Sequence, residues 1–370
     1  MGAGRAEQLL AERTRRLTTA VSLGTPDRVP TALVYDAFAA RVTGVKLSDY
    51  VSSVALATKA GLETADLLEG MDAIQYPTAN PAELAFLWLS PVDMPGKELP
   101  DDSLWQVREA GLMTAADYDL IVEMGFGPWM DDFVERHLGH LVPGLLALEA
   151  EIPHAGEEFN KRGIVNFCPG ATTIPYEQLC GGRGIKDFML DLHRIPDKVE
   201  AAMEAFLPVL KAQAQEGLRA ARPIGWWVGG WRSASEFLSP RLWDRFVWPY
   251  LREMVETVAA EGVIPVLHLD SNWERDLARF RELPAGRCVL ALDGATDIFK
   301  AKQVLGDHMC LLGDVPPRML TLGTADEVKA YCRRLVREIG AEGFILAQGC
   351  AIPPDARLDN VRAMIEVAGG

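Results

Sequence analysis

Four short apolar runs in the C-terminal half most constrain the fold of this chain. They span residues 263–268, 288–293, 309–314 and 343–348, and most of them end in polar side chains. Runs of this length are typical of strands that are buried on both faces. The stretches between them, residues 273–283, 296–305 and 324–339, have helical patterns, and Thr324 is placed as an N-cap. Strands that alternate with helices at this spacing predict parallel βα units.

The same alternation of apolar strands and helices extends into the N-terminal half. Residues 30–35, 71–76, 163–168 and 223–228 are the candidate strands there, which brings the total to eight. Eight parallel strands predict an α/β fold of the (β/α)8 TIM-barrel type. We expect one domain over residues 1–370. Residues 77–162 are too many for one connection between a strand and a helix, so they predict an insertion with short elements of its own.

Charge and hydropathy exclude several classes of function. The chain has 37 Lys and Arg against 52 Asp and Glu, a formal net charge of −15, and no basic stripe. It is therefore not expected to bind nucleic acid. No stretch approaches the ~20 apolar residues of a membrane span, and the N-terminus lacks the apolar run of a signal peptide. We expect a cytoplasmic protein.

The carboxyl ends of the predicted strands should carry the chemistry, because active sites of such barrels lie on that rim. The last four strands end at His268 and Asp270, at Asp293, at Asp314 and at Cys350. His268 and Asp270 are two residues apart, so both can point the same way. With Cys350 they form a reasonable zinc set with an open position. The alternative stays open that His268 bonds a carbonyl oxygen and Cys350 packs as a small apolar side chain.

Aromatic residues mark a pocket for a flat ligand. Trp226 and Trp227 lie at a predicted strand end, Trp231 follows closely, and Tyr35 ends the first strand. We expect these four side chains to contact substrate. The glycine-rich stretch 180–184 lacks the Lys-Ser/Thr of a phosphate-binding loop, and we expect a flexible loop over the barrel mouth.

Several motifs resemble the uroporphyrinogen decarboxylase superfamily. They are Phe237-Leu-Ser-Pro240, Phe246-Val-Trp-Pro-Tyr250, Val266-Leu-His-Leu-Asp270, Gly313-Asp-Val-Pro-Pro317 and Leu346-Ala-Gln-Gly-Cys350. The resemblance implies the barrel fold. The decarboxylases themselves have an arginine-rich substrate loop near the N-terminus, whereas residues 25–36 here contain one arginine. That departure disfavours a polycarboxylated tetrapyrrole as substrate.

A second branch of the superfamily contains zinc-dependent, corrinoid-linked methyltransferases. Their zinc motif resembles His-x-Cys followed by a distant cysteine, so His268 and Cys350 match two ligands and Asp270 replaces the middle cysteine. The segment 229–240 resembles members that demethylate methoxylated compounds. The resemblance thus implies demethylation of a small aryl methyl ether, with zinc on His268, Asp270 and Cys350.

The methyl group would pass to a cobalamin that a partner corrinoid protein carries. Asp293 or Asp314 would serve as a further ligand or as the acid. The alternatives are methyl transfer from the corrinoid to a thiol or pterin, decarboxylation, and a non-catalytic ligand-binding barrel. We also expect a homodimer.

Overall fold

The computed structural model describes residues 3–78 and 81–369, so Ala79 and Asn80 of the predicted insertion lie outside it. Its strands are β1 Ala32–Leu33, β2 Ala73–Ile74, β3 Val92–Asp93, β4 Gln106–Val107, β5 Val165–Asn166, β6 Ala171–Thr172, β7 Gly225–Gly230, β8 Ile264–Leu269, β9 Val289–Leu292, β10 Cys310–Val315 and β11 Phe344–Gln348.

Helices separate these strands. They are α1 Ala3–Val21, α2 Asp36–Thr43, α3 Leu47–Tyr50, α4 Val54–Leu68, α5 Glu83–Leu87, α6 Ala116–Met124, α7 Phe126–His137, α8 Val142–Glu149, α9 Ile152–Lys161, α10 Pro175–Arg183, α11 Ile185–Arg194, α12 Pro196–Ala221, α13 Pro240–Phe246, α14 Trp248–Ala260, α15 Ile298–Leu305, α16 Pro317–Leu322, α17 Ala325–Ile339 and α18 Leu358–Gly369, with 3-10 helices at Ser235–Phe237 and Glu274–Glu282. Among the described residues, no helix combines the length and apolarity that a membrane crossing requires.

Two parallel sheets form the barrel wall, in the orders β1-β2-β5 and β6-β7-β8-β9-β10-β11. Backbone hydrogen bonds join them at both edges. The Leu346 N–H donates to the Pro30 carbonyl oxygen at 2.9 Å, and the Gly225 N–H donates to the Phe167 carbonyl oxygen at 2.8 Å. β5 and β6 follow each other in one run of chain and occupy one position in the ring. The ring therefore has eight positions, and the predicted (β/α)8 fold is confirmed.

All eight barrel positions lie within or next to the predicted strands, and the helix boundaries differ only locally. Thr324 caps α17 in a capping box, because its hydroxyl accepts from the Glu327 N–H and the Glu327 carboxylate accepts from the Thr324 N–H. α15 begins two residues later than expected, because Asp297 provides its N-cap. The helix expected at 273–283 forms as a 3-10 helix.

Small apolar side chains fill the inside of the barrel. Val266, Ala291 and Leu312 belong to this inner cluster, whereas their chain neighbours Leu267 and Leu311 belong to the cluster beneath the helices. Alternate residues of a strand point to opposite faces, so a strand that is buried on both faces must be apolar throughout. This explains why the strands read as continuous apolar runs.

The segment 77–162 contains a short antiparallel hairpin, β3 with β4, and helices α5 to α9. The last of these helices, α9, packs against α1 and α4. It thereby contributes to the helical layer around the barrel.

A buried carboxylate fastens the amino-terminal end of the barrel. Asp72, just before β2, is fully buried and accepts hydrogen bonds from Arg16 on α1, from Arg28 at 2.8 Å and from the Thr31 N–H at 3.0 Å. One carboxylate thus joins the first helix, the following loop and two strands. A buried charge of this kind needs its partners, since each loses its hydration.

We expect Asp72→Ala to lower the free energy of unfolding by about 3–5 kcal/mol, because Arg28 would keep a charge without a counterion and Arg16 would keep only the exposed Asp27 as its partner. Asp66→Ala is the matched control. Asp66 also pairs with an arginine, Arg162, but its side chain is 64% exposed, so the loss should stay below about 1 kcal/mol. Urea denaturation measures both values, and equal small losses would contradict this assignment.

Candidate active site

Three side chains with metal-binding atoms meet at the carboxyl-end rim of the barrel. His268 and Asp270 lie at the end of β8 and just beyond it, and Cys350 follows β11. His268 Nε2 lies 3.4 Å from Asp270 Oδ1, and one ligand atom from each of the three residues falls within 4.8 Å of the others. The structure therefore brings together the three residues that the sequence predicted as a metal set. We call them the rim triad.

Cys350 reaches the other two residues because a glycine precedes it. The Gly349 N–H donates to the Val315 carbonyl oxygen at 3.0 Å. A Cβ at position 349 would lie only 2.3 Å from the Asp293 carbonyl oxygen, so no larger residue fits without a shift of the backbone. This close approach carries the chain across the end of β10 toward β8.

His268 is mostly buried, Asp270 and Cys350 are partly buried, and the three groups are electrostatically coupled. Burial disfavours the imidazolium form of His268, but the Asp270 carboxylate outweighs this effect and raises the pKa of His268 to about 10. Burial alone would raise the pKa of Asp270, but the charge of His268 lowers it. Burial raises the pKa of the Cys350 thiol. Without a bound cation, the geometry thus favours a His268–Asp270 ion pair beside a neutral thiol.

Two polar atoms of the rim triad fit a missing ligand. His268 Nδ1 is buried and has no hydrogen-bond partner among the described residues, and the buried Asp270 Oδ1 lies 3.4 Å from His268 Nε2 without a well-directed hydrogen bond. A buried polar atom without a partner is costly. One nitrogen, one oxygen and one sulfur ligand form a set that zinc accepts, with the fourth position open to a substrate atom. The residues present therefore fit a zinc ion.

Trp227 on β7 fixes the plane of the histidine ring. The two rings stack with centroids 4.3 Å apart and planes 5° apart. The Trp227 indole N–H donates to Gln75 Oε1 at 3.0 Å, and the Gln75 amide donates to the Ala32 carbonyl oxygen. Trp227 is thereby anchored to β1 and β2 and holds His268 from one side.

A cavity of about 600 Å³ opens beside the rim triad, with all three of its residues in the wall. Most of the other wall residues are aromatic or aliphatic. They include Tyr76, Phe86, Trp88, Trp105, Trp226, Trp227, Trp231, Leu145 and Leu210. A cavity with a mostly apolar, aromatic wall and a small number of polar groups is typical of a small-molecule site. The cavity contains the three tryptophans that the sequence predicted as substrate contacts.

Residues 156–369 match the family model for uroporphyrinogen decarboxylase (URO-D). The matched segment contains β7 to β11 and all of the rim triad. The chain belongs to the uroporphyrinogen decarboxylase family.

Similar URO-D family proteins include uroporphyrinogen decarboxylases from Syntrophotalea carbinolica and Myxococcus xanthus. The first is 29% identical over 176 residues, 47% of either chain. The second is 26% identical over 210 residues, 55% of this chain and 57% of its own. The chain thus spans about half the length of the curated relatives it matches. A methyltransferase structure from Methanosarcina mazei is 18% identical, covers 96% of this chain and 98% of its own, and superposes with a TM-score of 0.74. At that identity the likeness shows the shared fold.

A carboxylate that the sequence analysis missed holds the loop after β7. Glu177 is fully buried and accepts hydrogen bonds from the Trp231 N–H at 2.9 Å and from the N–H and hydroxyl of Ser233. Glu177 lies on α10, which forms at residues where the sequence predicted a flexible loop, 180–184, so that prediction is wrong. A single acid within a helix gives no sequence signal for this role.

Asp293 supports the rim triad through the backbone. Its two oxygens accept from the Ser271 and Ala295 N–H groups, each at 2.8 Å. Ser271 follows Asp270 and has a φ of 73°, a conformation that a non-glycine residue adopts only when its surroundings enforce it. Asp293 therefore positions Asp270, instead of presenting a free carboxylate as expected.

Two other predicted site residues face away from the cavity. The Tyr35 hydroxyl donates to the Gly61 carbonyl oxygen on α4 at 2.9 Å, and the neighbouring Val34 and Asp36 line the cavity instead. Asp314 accepts from the Tyr331 hydroxyl on α17 at 2.8 Å, in the helical layer. The structure thus corrects the substrate-binding role of Tyr35 and the catalytic role of Asp314.

The environment of Asp314 predicts a pH-dependent stability. Burial raises its pKa to about 7, so the folded state favours the protonated acid. The stability that the proton provides is present below the unfolded pKa of ~3.9 and is lost as the pH rises through about 7. Asp314→Asn removes this dependence. Between pH 4.5 and pH 8, we expect the free energy of unfolding of the variant, measured relative to that of wild type, to rise by on the order of 3 kcal/mol.

Urea denaturation at the two pH values measures this gain. Asp326→Asn, at an exposed aspartate on α17, the helix that carries Tyr331, is the control, and its stability relative to wild type should change by less than about 1 kcal/mol between the two pH values. A difference between Asp314→Asn and wild type that does not vary with pH would refute the assignment.

Proposed function

We propose that this chain is a methyltransferase that demethylates a small aryl methyl ether and passes the methyl group to the cob(I)alamin of a partner corrinoid protein. One observation carries the proposal: a nitrogen, oxygen and sulfur set lines an aromatic cavity at the carboxyl-end rim of the barrel. Family membership and the shared fold of the Methanosarcina mazei methyltransferase support it.

His268, Asp270 and Cys350 would hold a zinc ion, which when bound supplies a Lewis acid for the ether oxygen. The need for such an acid follows from the leaving group, because a phenolate leaves slowly until its developing charge is neutralised. Trp227 and Asp293 keep His268 and Asp270 in place before substrate arrives. Side chains held in this way need no rearrangement during the reaction.

The tryptophans contribute binding and exclusion of water. Trp226, Trp227 and Trp231 line the cavity, and their faces suit a flat aromatic ring.

In the reaction the bond between the methyl carbon and the ether oxygen breaks, and the oxygen keeps the electron pair. A carbon–cobalt bond forms with two electrons from cob(I)alamin, and the phenolate takes a proton from solvent. Water in the cavity would hydrate the leaving oxygen and weaken its activation.

Decarboxylation of a polycarboxylated tetrapyrrole is the second candidate, because the chain belongs to the decarboxylase family. Such a substrate needs several arginine contacts. No Arg or Lys is among the described residues of the cavity wall, which makes this candidate the weaker one.

The metal is tested first. Purified wild-type protein, dialysed after incubation with zinc, should retain about one zinc per chain by elemental analysis. Cys350→Ala should lose most of it, because a ligand is removed. Cys310→Ala is the control, since Cys310 is a free cysteine at the start of β10 and lies outside the rim triad. Zinc-free wild type, or equal retention in both variants, would rule out the metal site.

Methyl transfer is tested directly with zinc-loaded protein, cob(I)alamin and a methoxylated phenol. Methylcobalamin formation, followed by absorbance, should match the appearance of the demethylated product. Asp270→Ala should lower kcat/KM by on the order of 10³-fold, because Lewis-acid activation is worth several kcal/mol. Decarboxylation of uroporphyrinogen without any methyl transfer would favour the second candidate.

A further inference from the structure

The charged residues around the cavity are mostly acidic. Asp36, Glu83 and Asp270 lie in its wall, with Glu149 at an exposed position, and His268 is the one described wall residue that can become positive. His268 is already paired with Asp270. Apart from the rim triad, the charged groups of the described wall are therefore acidic.

Asp36 is one of the acidic residues of the cavity wall. It follows β1 at the rim, and burial raises its pKa to about 6. Among the described residues, its own backbone N–H is the one group that lowers this pKa, and no cation contributes. Tyr76 lies in the same cavity wall. The wall thus combines aromatic surface with carboxylates.

Arg232 contacts the wall residue Trp231, and its charge is paired with Glu109, although its buried Nη1 has no hydrogen-bond partner among the described residues. The Arg232 guanidinium stacks over the Trp231 ring, 4.1 Å from its centroid, and donates to Glu109. Its side chain is almost fully buried behind that ring and is not part of the wall. Its charge therefore serves the loop after β7.

We infer that the methyl donor is an uncharged aryl methyl ether, and that the cavity rejects ethers whose ring carries a carboxylate. This inference rests on the proposed function, since it names the substrate class of the same site. An aryl carboxylate would lose its hydration on entering the cavity and would be repelled by Asp36 at reduced dielectric. An uncharged ring has neither cost and gains the contacts with the tryptophans.

Two matched probes test the inference at pH 8, where both the probe carboxylate and Asp36 are mostly ionised. They are 2-methoxyphenol and 4-hydroxy-3-methoxybenzoate, which share a ring and a methoxy group and differ by one carboxylate. Binding to zinc-loaded protein is measured by calorimetry and by quenching of tryptophan fluorescence. We expect the Kd of the acid to be higher than that of the phenol by about tenfold or more.

Asp36→Asn should lower the ratio of the Kd of the acid to the Kd of the phenol by about threefold or more, because the repelling charge is removed while the shape of the side chain is kept. Asp66→Asn, at an exposed aspartate outside the cavity wall, should leave it unchanged. Equal or tighter binding of the acid to the wild type would overturn the inference, and so would a failure of the phenol to bind. A ratio of the two Kd values in Asp36→Asn that equals the wild-type ratio would also overturn it.

Turnover of the same two probes separates this inference from the proposed function. Selective binding of 2-methoxyphenol without methyl transfer to cob(I)alamin would leave the substrate class supported and the proposed function refuted. Demethylation of both probes at equal kcat/KM would support the proposed function and overturn the selectivity.

Discussion

The contact between Gly349 and the Asp293 carbonyl oxygen decides how far Cys350 reaches across the barrel mouth. β11 and β8 are separated by two strands in the ring, so their ends do not meet through neighbouring pairs. The residue after Gly349 meets His268 because the glycine lets the chain turn inward over β9 and β10. Asp293 takes part twice, since its carbonyl oxygen faces Gly349 and its carboxylate holds the Ser271 N–H next to Asp270. One residue thus sets the backbone on both sides of the rim triad.

The eight barrel positions and the rim triad were predictable because they depend on local pattern and on topology. Buried parallel strands must be apolar throughout, and polar residues directly after them must lie on the rim. Side-chain direction was not predictable at Tyr35 and Asp314. Each follows or ends an apolar run like the others, but the partner of Tyr35 is a carbonyl oxygen on α4 and that of Asp314 is a hydroxyl on α17. These partners are distant in sequence, so no pattern reveals them. The role of Glu177 was not predictable for the same reason, because it accepts hydrogen bonds from a loop more than 50 residues away.

The aspartate at position 270 changes what the rim triad can activate. In the motif of the zinc-dependent methyltransferase branch, which residues 268–350 resemble in part, a second cysteine lies there, and two thiolates make a soft site that suits a thiol. A carboxylate is a harder ligand and prefers oxygen partners on the metal. Asp270 also pairs with His268 when no cation is present, so the site keeps its geometry without two thiolates close together. The replacement is therefore consistent with an ether oxygen as the activated atom.

Charge separates this cavity from one built for a polycarboxylated substrate, even though the fold is shared. A barrel of this kind supplies rim positions, and the residues there decide the chemistry. Here the described wall offers no arginine or lysine for a carboxylate, and Asp36 is a buried acid without a cation partner. An anionic ring that entered would therefore gain no fork-like contact and would lose its hydration. An uncharged ring would contact the same wall without an electrostatic cost, since its binding depends on the indole surfaces of Trp226, Trp227 and Trp231 and not on charge. Substrate selection in this cavity thus follows from the groups that the wall lacks as much as from those it contains.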